Sequence, residues 1–140
     1  MLQRLEQTAR SLGLPFGERR MSFNSRRAQE AAKWAESHGK ADAFHNAVFR
    51  SYFGDGKNLY EIETLAAAAE SVGLRGGDLD EVLRSKTFKA AVDQDWLRSH
   101  QIGITAVPSF RMNGETLVGA QPYEQLAAFL TAPRRSPPSR

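Results

Sequence analysis

Apolar residues recur at three- and four-residue intervals from the start of the chain to about residue 100, and the rhythm then shortens towards alternation. Leu2, Leu5, Ala9 and Leu12 sit at helical spacing, with Gly13 as a stop and Pro15 just beyond it. Residues 14–23 read as an extended connector. Asn24 or Ser25 then caps a helix running to Ser37, in which Ala28, Ala31, Ala32 and Ala35 form a smooth stripe beside Trp34. His38-Gly39-Lys40 ends that helix. A further helix over 41–53 offers Phe44, Val48, Phe49, Tyr52 and Phe53, the densest aromatic group, and so the expected centre of the core.

The loop Gly54-Asp55-Gly56-Lys57-Asn58 separates this from a helix over 61–72, with Ile62, Leu65, Ala66, Ala69 and Val72 inward and Gly73 as its C-terminal cap. Asp78 opens a short helix to Leu83, and residues 87–100 form another with Phe88, Ala91, Val92 and Trp96 on one side. The pattern then changes. Residues 107–112 and 115–119 read as two strands around Asn113-Gly114, a pair suited to a type I′ turn because both central positions need positive φ. Pro122 opens a closing helix whose Tyr123, Leu126, Ala127, Phe129 and Leu130 can pack. The fold class expected is α+β, mostly α. Its organisation is a helical region over 1–102, a hairpin and helix over 103–132, and a Pro/Ser-rich basic tail over 133–140 expected to be disordered.

Composition narrows the function classes. The 140 residues are 41% hydrophobic and 25% charged, an ordinary globular balance in a chain long enough to bury a core. Nineteen Lys and Arg against sixteen Asp and Glu give +3, and Arg134, Arg135 and Arg140 of the tail account for three of those cations. The body is therefore near neutral, and nucleic acid is not an expected partner. No apolar run approaches the ~20 residues needed to span a bilayer. The opening Met1-Leu2-Gln3-Arg4-Leu5-Glu6 lacks the continuous apolar core of a secretory leader, so the expected location is cytoplasmic. There is no cysteine, hence no thiolate nucleophile, disulfide or sulfur-ligated metal in this polypeptide. No residue is assigned a catalytic or metal-binding role, and no cofactor is called for.

The polar residues that could carry chemistry read more simply as structure. His45 and His100 are residue types able to act as acids or bases, but they lack a neighbouring nucleophile or acid at a working spacing. His38 suits a helix C-terminus as a favourable cation. Asp93 and Asp95 near Arg98 read as an exposed helix face rather than a carboxylate site. The Arg19-Arg20 and Arg26-Arg27 pairs could meet an anion at the helix start after Asn24.

One segment stands apart. Gly103-Ile104-Thr105-Ala106-Val107-Pro108-Ser109-Phe110 is extended and interrupted by a proline, which cannot donate to a β-ladder and so belongs at an edge or in special backbone geometry. The small lead-in Thr105-Ala106-Val107 lets another chain approach closely. This segment resembles the proline loop of thioredoxin-like proteins. With Asn24-Ser25-Arg26-Arg27-Ala28, residues 44–53, Asp55-Gly56-Lys57-Asn58, Ala69-Glu70-Ser71-Val72-Gly73-Leu74 and Gly119-Ala120-Gln121-Pro122, it resembles the DsbA-like branch, and within it the FrnE-like predicted dithiol-disulfide isomerases, over roughly residues 1–131.

The resemblance implies a helical insertion domain followed by the hairpin and C-terminal helix of an incomplete thioredoxin-like fold. It implies that the sequence begins after the strand and Cys-x-x-Cys helix that precede the insertion in such proteins. It also implies a cis proline at Pro108, with Thr105, Ala106, Val107 and Pro108 contacting an extended peptide or protein substrate. Disulfide exchange is the family's activity, and this chain, having no thiol, is expected to be inactive in it alone. Two other readings stay open: a fragment similar to the glutathione-dependent 2-hydroxychromene-2-carboxylate isomerases and kappa transferases, and a non-enzymatic peptide-binding or assembly module. Because two strands make a marginal sheet with unpaired edges, a homo-oligomer formed through the hairpin edge is expected.

Overall fold

The computed structural model describes residues 2–18 and 23–132. Arg19, Arg20 and the tail from Pro133 onward lie outside the described residues. The fold is α+β and dominated by helix: among the described residues there are seven α-helices, a π-helical turn and one two-stranded antiparallel hairpin. The chain divides into two compact units, residues 1–94 and the remainder from Asp95.

In the first unit, α1 (Leu2–Ser11) buries Ala9. The α2 helix (Arg26–Ser37) begins where the Asn24 side-chain oxygen accepts the Arg26 backbone N–H at 2.9 Å, while Ser25 makes no side-chain cap. Its alanine stripe is buried together with Trp34, and Ala31 and Ala35 are fully enclosed. Methyl groups on this face let the α3 (Ala41–Phe49), α4 (Ile62–Ser71) and α5 (Asp78–Arg84) helices pack close to α2. Phe44 from α3, Leu65 from α4 and Leu79 from α5 are fully buried in that contact. Each contributes about 1.5–3 kcal/mol of transfer free energy. Within α4 the inward face is Thr64, Leu65, Ala68 and Ala69, one step around from the expected Ala66. The α6 helix (Lys89–Gln101) adds Val92, and Phe88 before it packs on the core.

Helix endings share one device. After α1, α2, α4 and α6 a glycine takes positive φ, and the next N–H reaches back to the carbonyl five residues earlier: Leu14 to Ala9, Lys40 to Ala35, Leu74 to Ala69 and Ile104 to Ser99, all at 2.9–3.0 Å. Only glycine takes that turn without a Cβ penalty, so the glycines set helix length.

The aromatic group of residues 44–53 is split rather than central. Phe44 and Val48 face the core, but Phe49 is 56% exposed and Phe53 is exposed as well. One turn of helix separates each of His45, Phe49 and Phe53, which therefore share the neighbouring face, with ring centroids 6.3 and 6.2 Å apart. The helix expected to continue to Phe53 widens at Arg50–Gly54 into a π-helical turn, in which the Asp55 N–H bonds the Arg50 carbonyl.

In the second unit, β1 (Ser109–Met112) pairs with β2 (Glu115–Val118), Ser109 opposite Val118 and Met112 opposite Glu115. Asn113 and Gly114 take φ of 52° and 84°, as a type I′ turn requires. β1 starts at Ser109 rather than at the expected Val107, because Pro108 has no N–H for the ladder; the Gly119 N–H still donates to the Pro108 carbonyl at 2.8 Å. The α7 helix (Tyr123–Thr131) follows, with Pro122 as its N-cap. No described residue from 95 onward is buried. A hairpin and helix of this size cover too little surface to enclose an interior.

Candidate functional site

The four residues singled out by sequence, Thr105, Ala106, Val107 and Pro108, form one exposed loop between α6 and β1. Val107 is 89% exposed, an unusual state for a branched aliphatic side chain at the head of a strand. The Val107–Pro108 peptide bond is cis. Both ends of the loop are tied down. Upstream, the Gly103 and Ile104 N–H groups bond the His100 and Ser99 carbonyls at the end of α6, and the Arg111 guanidinium donates to the Ile102 carbonyl. Downstream, Pro108 is held by the Gly119 N–H, and the Ser109 hydroxyl donates to the Ala106 carbonyl at 2.6 Å.

Between these anchors the backbone N–H and C=O groups of Thr105 and Val107 have no partner among the described residues. The hairpin adds more of the same kind. The Pro108–Gly119 bond fixes the alternation of the ladder, so the main-chain groups of Ser109 and Arg111 on one strand and of Thr116 and Val118 on the other point away from the pair. The loop and both strand edges are open to an added extended segment. Among the described residues no group of three or more His, Asp or Glu is arranged to hold a metal.

The other polar candidates are accounted for by local contacts. His38 places its Nδ1 2.9 Å from the Trp34 carbonyl and its ring edge-on to the Trp34 indole at 5.2 Å, closing α2. His45 lies against Phe49, and His100 sits exposed in the last turn of α6. Arg27 lies 4.0 Å over the Tyr60 ring and donates to the Tyr60 carbonyl. Arg26 is engaged by Glu30 at 3.0 Å and Asp93 at 2.6 Å, and Lys89 meets the same Asp93 carboxylate at 2.7 Å. Hydrogen bonds from Lys89 and then Arg26 hold the Asp93 carboxyl below its ordinary value. Both contacts favour its charged form. The Arg26-Arg27 pair is thus spent on the protein itself, a role that sequence could not show because Asp93 lies 67 residues away.

No helix among the described residues is long and apolar enough to cross a membrane. Compared with known families, the chain matches the DSBA-like thioredoxin domain over residues 1–131. Among curated proteins it is 29% identical over 94 residues to the uncharacterized protein YwbO of Bacillus subtilis (strain 168), an alignment covering 66% of this chain and 47% of that protein. The chain thus spans about half the length of the curated relative it matches.

Proposed function

This chain belongs to the DsbA-like thioredoxin family, and on that footing we propose that it is the substrate-holding part of a FrnE-like protein disulfide oxidoreductase, with Thr105–Pro108 docking extended polypeptide. The observation that carries the reading is the loop itself: exposed, anchored at both ends, and presenting the unpaired main-chain groups of Thr105 and Val107. A peptide lying alongside pairs its own N–H and C=O groups there and lays a side chain on Val107. Main-chain bonds supply affinity that tolerates many sequences, as a disulfide exchanger acting on many proteins needs.

The exchange step has a requirement that this chain does not meet. A thiolate must attack a disulfide sulfur and expel the other sulfur as a thiolate, and the chain has no cysteine. All three sulfurs, the attacking thiolate and the two of the disulfide, have to come from other polypeptide. The purified chain should bind an unfolded, extended peptide and give no turnover in insulin reduction. Val107→Asp, which places a charge on the docking face, should weaken peptide binding by about tenfold, or ~1.4 kcal/mol. Fluorescence anisotropy with a labelled peptide reads this directly. Binding unchanged in both Val107→Asp and Pro108→Ala, or insulin turnover by the chain alone, would refute the reading.

The free strand edges can also take a strand from a second copy. Light scattering across a concentration series should then show self-association, and a monomer at every concentration removes that part.

A further inference from the structure

A cleft of about 530 Å³ opens between α3 with its π-helical turn on one side and α4 on the other. Its volume falls in the range of small-molecule sites. Its polar lining is Asn46, Arg50, Ser51, Asp55, Lys57 and Ser71, with alanines between them. Two cations against one carboxylate leave a positive excess. Asp55 meets Lys57 at 3.8 Å, whereas Arg50 has no acid within ion-pair reach among the described residues. The Ser71 hydroxyl donates to the Ala68 carbonyl, but the Asn46 amide makes no side-chain hydrogen bond among the described residues. The lining therefore offers the Arg50 guanidinium and the Asn46 amide as donors, beside a Lys57 ammonium shared with Asp55.

The loop at the mouth of this cleft is tied down by backbone contacts. The Asp55 and Lys57 N–H groups bond the Arg50 and Ser51 carbonyls. Gly17 and Gly56 then press backbone against backbone. A Cβ on Gly17 would lie 2.6 Å from the Gly56 nitrogen, and one on Gly56 would lie 2.6 Å from the Glu18 carbonyl oxygen, where φ is also +67°. The Gly17 N–H donates to the Phe53 carbonyl at 2.8 Å. This interlock fixes the loop that carries Lys57, and the π-helical turn places Arg50 and Ser51 on the cleft side. Preorganised donors bind an anion without first being ordered.

We propose that this cleft binds a small molecule with an oxyanion head, a carboxylate or a phosphate, held by Arg50 and Lys57 and oriented by Asn46. Arg50 takes the head because its planar fork matches two oxygens at once. This site lies apart in sequence from the proline loop and does not depend on the role given to that loop.

The test is a nitrogen-edited NMR titration of the full chain with sodium phosphate and, separately, with sodium acetate, each at ionic strength held constant with sodium chloride. The expected result is saturable shift changes at Asn46, Arg50, Ser51 and Lys57 in the low-millimolar range. A response to phosphate only, or to acetate only, identifies the head; a response to both identifies a general oxyanion site. Arg50→Gln should weaken binding about tenfold. Ala67→Phe, at an exposed position on the cleft wall, should block it without changing charge. Arg84→Gln, on α5, should leave it unaltered. Shifts that grow linearly and match those from chloride, or saturable binding that survives both cleft variants, would overturn the proposal.

Discussion

Arg26 donates along its own helix to Glu30 and across to Asp93 and the Lys89 carbonyl, 67 and 63 residues further on. Its guanidinium is pushed above its ordinary value by Asp93 first and Glu30 second, and stays charged at any working pH. Asp93 is the partner that titrates. Its carboxyl is depressed in the folded chain, so the unfolded chain binds the proton more readily, and folding is favoured above the ordinary carboxylate value of 3.8. That contribution is lost as pH falls through the depressed value. Asp93→Asn should therefore shallow the decline of melting temperature below about pH 4 relative to the parent chain. Melts of both proteins across that window check it, and parallel slopes would count against the network. Because these groups lie at the surface, added salt should shrink the difference. The sequence displayed Arg26 as one of a basic pair and Asp93 as part of a helix face. Only tertiary proximity, which no local pattern encodes, turns them into one tie.

Among the elements, α3 shows where periodicity informs and where it stops. Its spacing put residues 44 and 48 on one face, and both are buried there, against an α2 whose alanine stripe is buried as well. Aromatic density was the misleading signal. Phe49 and Phe53 are apolar yet one face away from the contact, and the π-helical turn that changes phase at Arg50 leaves no mark in the residue types. The two phenylalanines of α3 should thus differ sharply on truncation. Phe44→Ala should cost about 3–5 kcal/mol, since it opens a cavity in a closed contact. Phe49→Ala should cost under about 1 kcal/mol, because that ring already meets water. Urea unfolding of the two variants measures both, and similar midpoints would mean that the core is misplaced. The Asn113-Gly114 turn, by contrast, was legible to the residue, because positive φ at two consecutive positions is a demand that few residue pairs satisfy.

For the molecule as a whole, family and fold class were readable from the order of elements and the proline segment, while the cleft between α3 and α4 was not. That cleft depends on a phase change and a glycine interlock between residues 17 and 56, which are visible only once the chain is folded. The uneven interior was hidden for a related reason. Residues 1–94 enclose a core, whereas from Asp95 onward the large apolar side chains Trp96, Leu97, Val107, Val118, Tyr123 and Leu130 all remain exposed. Their consequence is colloidal. A net charge of +3 over 140 residues gives weak mutual repulsion, which vanishes near the isoelectric point of about 9.5. At physiological ionic strength the repulsion already decays within about 8 Å. Short-range apolar attraction then has nothing to oppose it. Turbidity should rise as the solution is brought from pH 7 towards the isoelectric point, or as salt is added at pH 7, and Val107→Asp should move the onset of the salt-driven clouding to higher salt. Solutions that stay clear under both changes would mean that these side chains are covered. The surface that the fold leaves unfilled should thus set the phase boundary of the protein in solution.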